Sequence, residues 1–176
     1  MTGTSAMADL YVSWSDYHRS IERLAEKVHA SGWGFDQIVC IARGGLRVGD
    51  LMSRIFKQPL AIIFTQSYIE NAGRVQGEIT VSKHMAMMTP DLGSRVLLVD
   101  DLVDSGVTLE VVKELLVKEH ACVQEIRTAV LWYKACSRFV PDYYVEYLAE
   151  NPWIHQPFEP YDVMKPEDLG RRSGPV

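Results

Sequence analysis

From Arg95 to Thr108 the chain reads Arg-Val-Leu-Leu-Val-Asp-Asp-Leu-Val-Asp-Ser-Gly-Val-Thr, and this order constrains the fold more than any other stretch. Val96 to Val99 is a short apolar, β-branched run of the kind that forms a strand buried on both faces. Two carboxylates, Asp100 and Asp101, follow where such a strand emerges at its carboxyl end. Asp104-Ser105-Gly106-Val107-Thr108 is small and polar, and it opens a helix predicted from about Thr108 to Glu119. Carboxylates in that position can hold a metal-bound polyol. The turn beside them can hold a phosphate, because free backbone N–H groups and the helix dipole both favour an anion there.

The rest of the chain supplies similar units. Ser13-Trp14-Ser15-Asp16 has the form of a capping box, and Tyr17, Ile21, Leu24, Ala25 and Val28 then fall on one helical face. Gly32 is placed to end that helix. Asp36 to Ala42 reads as a buried strand, followed by Arg43-Gly44-Gly45, a helix from about Leu46 to Lys57, and a third apolar run from Leu60 to Thr65. Two glycines after a strand let the backbone approach a ligand, and Arg43 adds a fork of donors suited to phosphate. A tight turn with a solvated arginine is the plainer reading of the same tripeptide.

Gln66 to Met88 is polar and glycine-containing, with little apolar periodicity until its end, as expected of a lid or binding loop. Glu125 to Tyr133 is β-rich and runs into Lys134; Asp142 to Tyr147 alternates. Asn151 to Glu159 carries two prolines with Trp153 and Phe158, which makes a stiff aromatic loop. Strands alternating with helices predict an α/β domain with a mainly parallel central sheet flanked by helices and a small accessory hood. In such sheets ligands lie beyond the carboxyl ends of the strands, where Arg43, Asp100, Asp101, Asp104 and Lys134 all fall.

At 176 residues the chain suffices for one domain with a real core. We expect that domain over residues 8–166, its hood built from the N-terminal and 134–160 segments, with flexible ends at 1–7 and 167–176. A net charge of -5 argues against a general nucleic-acid binder, since affinity for a phosphate backbone needs clustered Lys and Arg. No apolar run approaches the ~20 residues that span a bilayer, and the first residues lack a signal-peptide pattern. Three cysteines with no metal spacing point to a reducing, cytoplasmic setting.

Val99-Asp-Asp-Leu-Val-Asp-Ser-Gly-Val-Thr108 resembles the signature of the type I phosphoribosyltransferases, which bind 5-phospho-α-D-ribosyl 1-diphosphate through such a segment. The resemblance runs from about Asp36 to Glu159. Arg43-Gly44-Gly45 is similar to the family's diphosphate-binding loop, and Ser67-Tyr68 to the start of its mobile catalytic loop. Lys134 and Trp153-Ile154-His-Gln-Pro-Phe-Glu159 resemble the purine-binding part of the xanthine-guanine and hypoxanthine branch.

The resemblance implies transfer of the phosphoribosyl group to N9 of a 6-oxopurine, as in purine salvage, with Mg²⁺ as cofactor and a homodimer or homotetramer. Under it, Asp100 and Asp101 hold the ribose hydroxyls, directly or through Mg²⁺. Asp104 contacts the purine imidazole and helps remove its proton, while Ser105, Gly106, Val107 and Thr108 wrap the 5′-phosphate. Lys134 meets the 6-oxo group, since an ammonium only donates. Trp153 stacks on the base, Ile154 offers its backbone, and Glu159 stands where the family has an aspartate. His155 and Val107 are further departures from the pattern. A phosphoribosyltransferase for another base, and a non-catalytic regulator that senses the same donor, are the alternatives.

Overall fold

The structure is a computed structural model that describes residues 9–67, 79–82 and 84–169. In chain order its elements begin with β1 (Leu10–Tyr11) and α1 (Trp14–Ala30), then β2 (Gln37–Ala42), α2 (Leu46–Phe56) and β3 (Leu60–Ser67). After these come β4 (Ile79–Val81), β5 (Arg95–Val99), β6 (Leu102–Val103), α3 (Val107–Glu119), β7 (Glu125–Lys134) and β8 (Tyr143–Leu148). The last are β9 (Ile154–His155) and two short helices, α4 (Pro160–Val163) and α5 (Pro166–Leu169).

The described residues fall into two units. The larger is Ser20–Asn151, and the smaller combines the stretch up to Arg19 with that from Pro152 onward, so the division falls within α1. The larger unit holds one sheet in the order β4-β3-β2-β5-β7-β6, with β8 also on β7. Every pairing in it is parallel except β3 with β4. All six residues of β2 are buried, as are Val96 to Val99 of β5, which is why both read as continuous apolar runs rather than alternating ones. Val39, Ile41, Ile63, Leu98, Leu109, Val112, Leu116 and Val130 form the centre of the core. Each such aliphatic side chain contributes about 1.5–3 kcal/mol by leaving water.

The predicted elements are found with small shifts at their ends. α2 ends at Phe56 with Lys57 left-handed at φ 54, and α3 begins at Val107, one residue before the predicted start. α1 starts as its cap predicts: the Ser13 hydroxyl donates to Asp16 Oδ2 at 2.6 Å and accepts the Asp16 N–H at 3.1 Å. Gly32, at φ +69, follows its end. Tyr17, Ile21, Leu24, Ala25 and Val28 are all buried.

Other features differ from the sequence reading. The polar stretch after Thr65 is shorter than expected of a free loop, because β3 continues to Ser67 and β4 pairs back on it, Thr65 facing Val81 and Ser67 facing Ile79. Met85 and Met87 then pack against the core. Tyr68, Gly73, Arg74, Gly77 and Lys83 lie outside the described residues. In the smaller unit, β1 and β9 pair in parallel, Leu10 with Ile154 and Tyr11 with His155. Two-residue strands carry no periodicity, so neither shows in the sequence.

Candidate active site

The acidic pair lies in a break between two short strands that run along the same neighbour. β5 pairs with β7 as far as Val99 opposite Ala129, and β6 resumes at Leu102 opposite Trp132. Across the break, the Asp100 N–H donates to the Ala129 carbonyl at 3.2 Å. The Asp101 carbonyl accepts from Leu131 at 2.9 Å and from Trp132 at 3.2 Å. Its backbone groups thus stay satisfied while the two carboxylates project from the sheet's carboxyl end.

Both acids are buried, at 9% and 7% exposure. Asp100 Oδ1 accepts the Asp101 N–H at 2.9 Å, and Asp101 Oδ1 accepts the Leu102 N–H at 2.7 Å. Burial, and then the neighbouring Asp101 charge, pushes the Asp100 carboxyl well above the usual carboxylate range. A bound cation or a hydroxyl-rich ligand would relieve that repulsion. No cluster of three or more His, Cys, Asp or Glu able to hold a metal exists among the described residues. Two adjacent carboxylates suit Mg²⁺, which keeps several waters and takes the rest of its shell from substrate phosphates.

Gly44 and Gly45 prove necessary to the protein's own packing. A Cβ on Gly45 would lie 2.7 Å from the Ile41 carbonyl oxygen and 2.8 Å from that of Val99. One on Gly44 would lie 2.7 Å from Asp101 Oδ1. The turn after β2 is therefore pressed against the acidic pair, and only glycine allows it. Its third member, Arg43, is exposed and lines a hollow of about 560 Å³ with Phe64, Thr65, Gln66, Thr80 and Ser82.

The turn from Asp104 to Thr108 encloses a smaller hollow of about 150 Å³, lined also by Asp100 and Leu109. Gly106 caps α3 at φ 86, and the helix N-terminus supplies the donors an anion needs. Behind the turn stands the connection from β7 to β8. The Arg138 N–H donates to the Ser105 carbonyl at 3.2 Å, and its guanidinium pairs with Glu110 in the first turn of α3. A Cβ on Gly106 would meet Ser137 Oγ at 2.6 Å.

Asp104 is exposed, its side chain 60% accessible, and Lys134 beside it is buried. The Lys134 ammonium lies 3.6 Å from Asp104 Oδ1. The Cys136 thiol donates to the same oxygen at 3.3 Å. Burial and then Asp104 hold that thiol above its ordinary range, which keeps it a neutral donor. A third hollow, of about 500 Å³ and lined by residues such as Met85, Met87, Leu115 and His120, contains none of these groups.

The larger unit thus brings together Asp100, Asp101, Asp104, Ser105, Gly106, Thr108 and Lys134, with Val107 as the first helical residue. Ser67 ends β3, and Tyr68 lies outside the described residues. In the smaller unit Trp153 is 60% exposed and its indole N–H donates to Glu159 Oε1 at 3.1 Å, while Ile154 is buried. Glu159 Oε2 lies 3.0 Å from His155 Nδ1. Sequence reasoning missed Cys136 and Arg138, which stand two and four positions after Lys134; their contacts with the turn from Asp104 to Thr108 are long-range and leave no local pattern.

A family model described as "Phosphoribosyl transferase domain" matches residues 13–162, and the chain belongs to that family. It is an enzyme of the pentosyltransferase class. Among solved structures, it is 34% identical to a purine phosphoribosyltransferase from Pyrococcus horikoshii Ot3, covering 90% of this chain and 99% of that one, with a TM-score of 0.72. It shares its fold with the Helicobacter pylori xanthine-guanine-hypoxanthine phosphoribosyltransferase at 22% identity, covering 93% and 99% of the two chains, TM-score 0.73. It also shares its fold with a hypothetical protein from Neisseria gonorrhoeae with bound ppGpp, at 23% identity, covering 94% and 97%, TM-score 0.66.

Proposed function

We propose that the enzyme transfers the 5-phosphoribosyl group of 5-phospho-α-D-ribosyl 1-diphosphate to N9 of a 6-oxopurine in purine salvage. The observation that carries this reading is the side-by-side placement of a buried ammonium and a carboxylate, Lys134 Nζ and Asp104 Oδ1, 3.6 Å apart. A 6-oxopurine presents O6 and N7 together on one edge. Lys134 donates to O6, and Asp104 accepts from an N7–H. Adenine would set an amino group against the ammonium, a pairing of two donors.

In this reading the anion-binding turn at Ser105, Gly106, Val107 and Thr108 takes the 5′-phosphate. Asp100 and Asp101 take the ribose hydroxyls. Arg43, Gly44 and Gly45, with Ser67 and Tyr68, cover the diphosphate. The C1–oxygen bond to diphosphate breaks, and its electron pair leaves with that group. The N9 lone pair forms the new bond to C1, and the N7 proton passes to Asp104. Carboxylates below the ring stabilise the positive charge that develops on the ribose. Mg²⁺ held by Asp100 and Asp101 would neutralise the diphosphate as it departs. Trp153, Ile154 and Glu159 take a purine-binding role in this reading by their resemblance to the family's purine-binding segment. The family resemblance supports a homodimer or homotetramer, and three cysteines with no metal spacing support a cytoplasmic setting. No described helix is long and apolar enough to cross a membrane.

A product assay with the donor, Mg²⁺ and hypoxanthine, guanine, xanthine or adenine tests the reading. Nucleotide should form from one or more of the 6-oxopurines and far more slowly from adenine. A preference for adenine, or donor binding with no nucleotide from any base, would overturn it.

A further inference from the structure

We propose that His155, with a proton on both ring nitrogens, is a positioning residue that latches the segment Trp153–Glu159 in its base-binding form. The inference rests on the reading of that segment as part of the base site.

His155 lies in β9, and two carboxylates face its ring from either side. Nε2 is 3.0 Å from Asp9 Oδ2, and Nδ1 is 3.0 Å from Glu159 Oε2. An ionised carboxylate only accepts, so both ring nitrogens must donate, whereas a neutral imidazole has one N–H. The geometry is that of an imidazolium bridging two acids. Tyr11, its partner in the strand register, stacks on the ring at 4.4 Å between centroids and 15° between planes, which also suits a cation. The Leu10 N–H to Trp153 carbonyl bond at 2.8 Å and the Val12 N–H to His155 carbonyl bond at 3.0 Å tie the same strands.

The latch has a consequence for Glu159. One of its oxygens faces His155, and the other accepts the Trp153 indole N–H. Glu159 therefore orients Trp153 through its own side chain, and His155 orients Glu159. The hydrogen bond to Asp9, followed by Glu159, raises the His155 pKa above its ordinary value. Among the described residues, Asp9, Tyr11 and Glu159 are the titratable groups that face the ring. Because the folded value is raised, the latch is complete at and below the ordinary histidine range. It is lost as pH rises through the raised value, when a ring lone pair comes to face a carboxylate.

The test combines two readouts. Side-chain ¹⁵N NMR of the whole protein, assigned by difference from His155→Gln, should show both ring nitrogens protonated at pH 7 and a midpoint above ordinary histidine. Initial rates of wild type and Asp9→Asn are then compared across pH, a ratio that cancels ionisation of the base itself. At pH 7 Asp9→Asn should raise KM for the base roughly 3- to 10-fold, the scale of a solvent-screened ionic hydrogen bond, with kcat and donor KM unchanged. The ratio should fall to about one as pH passes the NMR midpoint. A neutral single tautomer at pH 7, or a base KM that Asp9→Asn leaves unchanged at every pH, overturns the latch. Absence of turnover with every purine overturns the proposed function instead, and the NMR result still decides the state of His155.

Discussion

At the scale of single residues, Lys134 carries the greatest consequence. A lysine buried at 7% exposure is retained only where its charge is paired, and the carboxylate beside it belongs to the anion-binding turn. Lys134→Ala should lower kcat/KM for 6-oxopurines about 100-fold, the loss of one charged hydrogen bond worth about 2–3 kcal/mol, while donor KM changes little. Steady-state kinetics with each substrate varied checks this split. Gly106 shows a different dependence, on conformation rather than charge. At φ +86, with Ser137 and Phe139 standing where a Cβ would lie, any side chain there strains the turn. Gly106→Ala should raise donor KM and lower Tm together, measured by the same kinetics and by calorimetry. Lys134 was legible as a donor at a strand end. That its partner is Asp104 was not, because the pairing spans β7 and the turn before α3.

At the scale of elements, the sheet is anchored at the end opposite the site. Asp36, just before β2, accepts the Ser94 and Arg95 N–H groups and the Ser94 hydroxyl at 2.8–3.1 Å, tying the starts of β2 and β5. Burial raises the Asp36 carboxyl, but the bonds from Arg95 and Ser94 outweigh it and hold the group below its ordinary value. A depressed folded pKa stabilises above the unfolded value, near 3.9, and that contribution disappears as pH falls through the folded one. Asp36→Asn should therefore lower Tm at neutral pH, with the gap to wild type closing below about pH 4. Equal gaps at pH 7 and pH 3 would contradict it. β2, β5 and the helices after them were legible because apolar runs and small polar turns are local signals. β6 was not, since Leu102 and Val103 become a strand only by pairing with Trp132 and Tyr133.

At the scale of the whole molecule, the proposed donor site draws on the turn after β2, the break after β5 and the N-terminus of α3. These lie far apart in the chain and meet because parallel strands bring their carboxyl ends to one edge. The buried acidic pair makes binding there dependent on a counter-charge. Chelating Mg²⁺ with EDTA should abolish turnover and weaken donor binding in titration calorimetry, and added Mg²⁺ should restore both. Asp100→Asn with Asp101→Asn should mimic chelation and resist the rescue. Full activity in EDTA would remove the metal from the reading.

By itself the sequence determined the type of each main element and the chemistry each strand end could offer. It did so because burial of a strand and an anion-binding turn both depend on residues near in the chain. The tertiary structure decided which groups share an atom. Asp104 Oδ1 is met by both Lys134 and Cys136, Gly44 is pressed onto Asp101, and His155 stands between Asp9 and Glu159. The physical reason is range. Periodicity and turn chemistry act over a few residues, whereas a hydrogen bond between distant segments exists only once the sheet has fixed their separation.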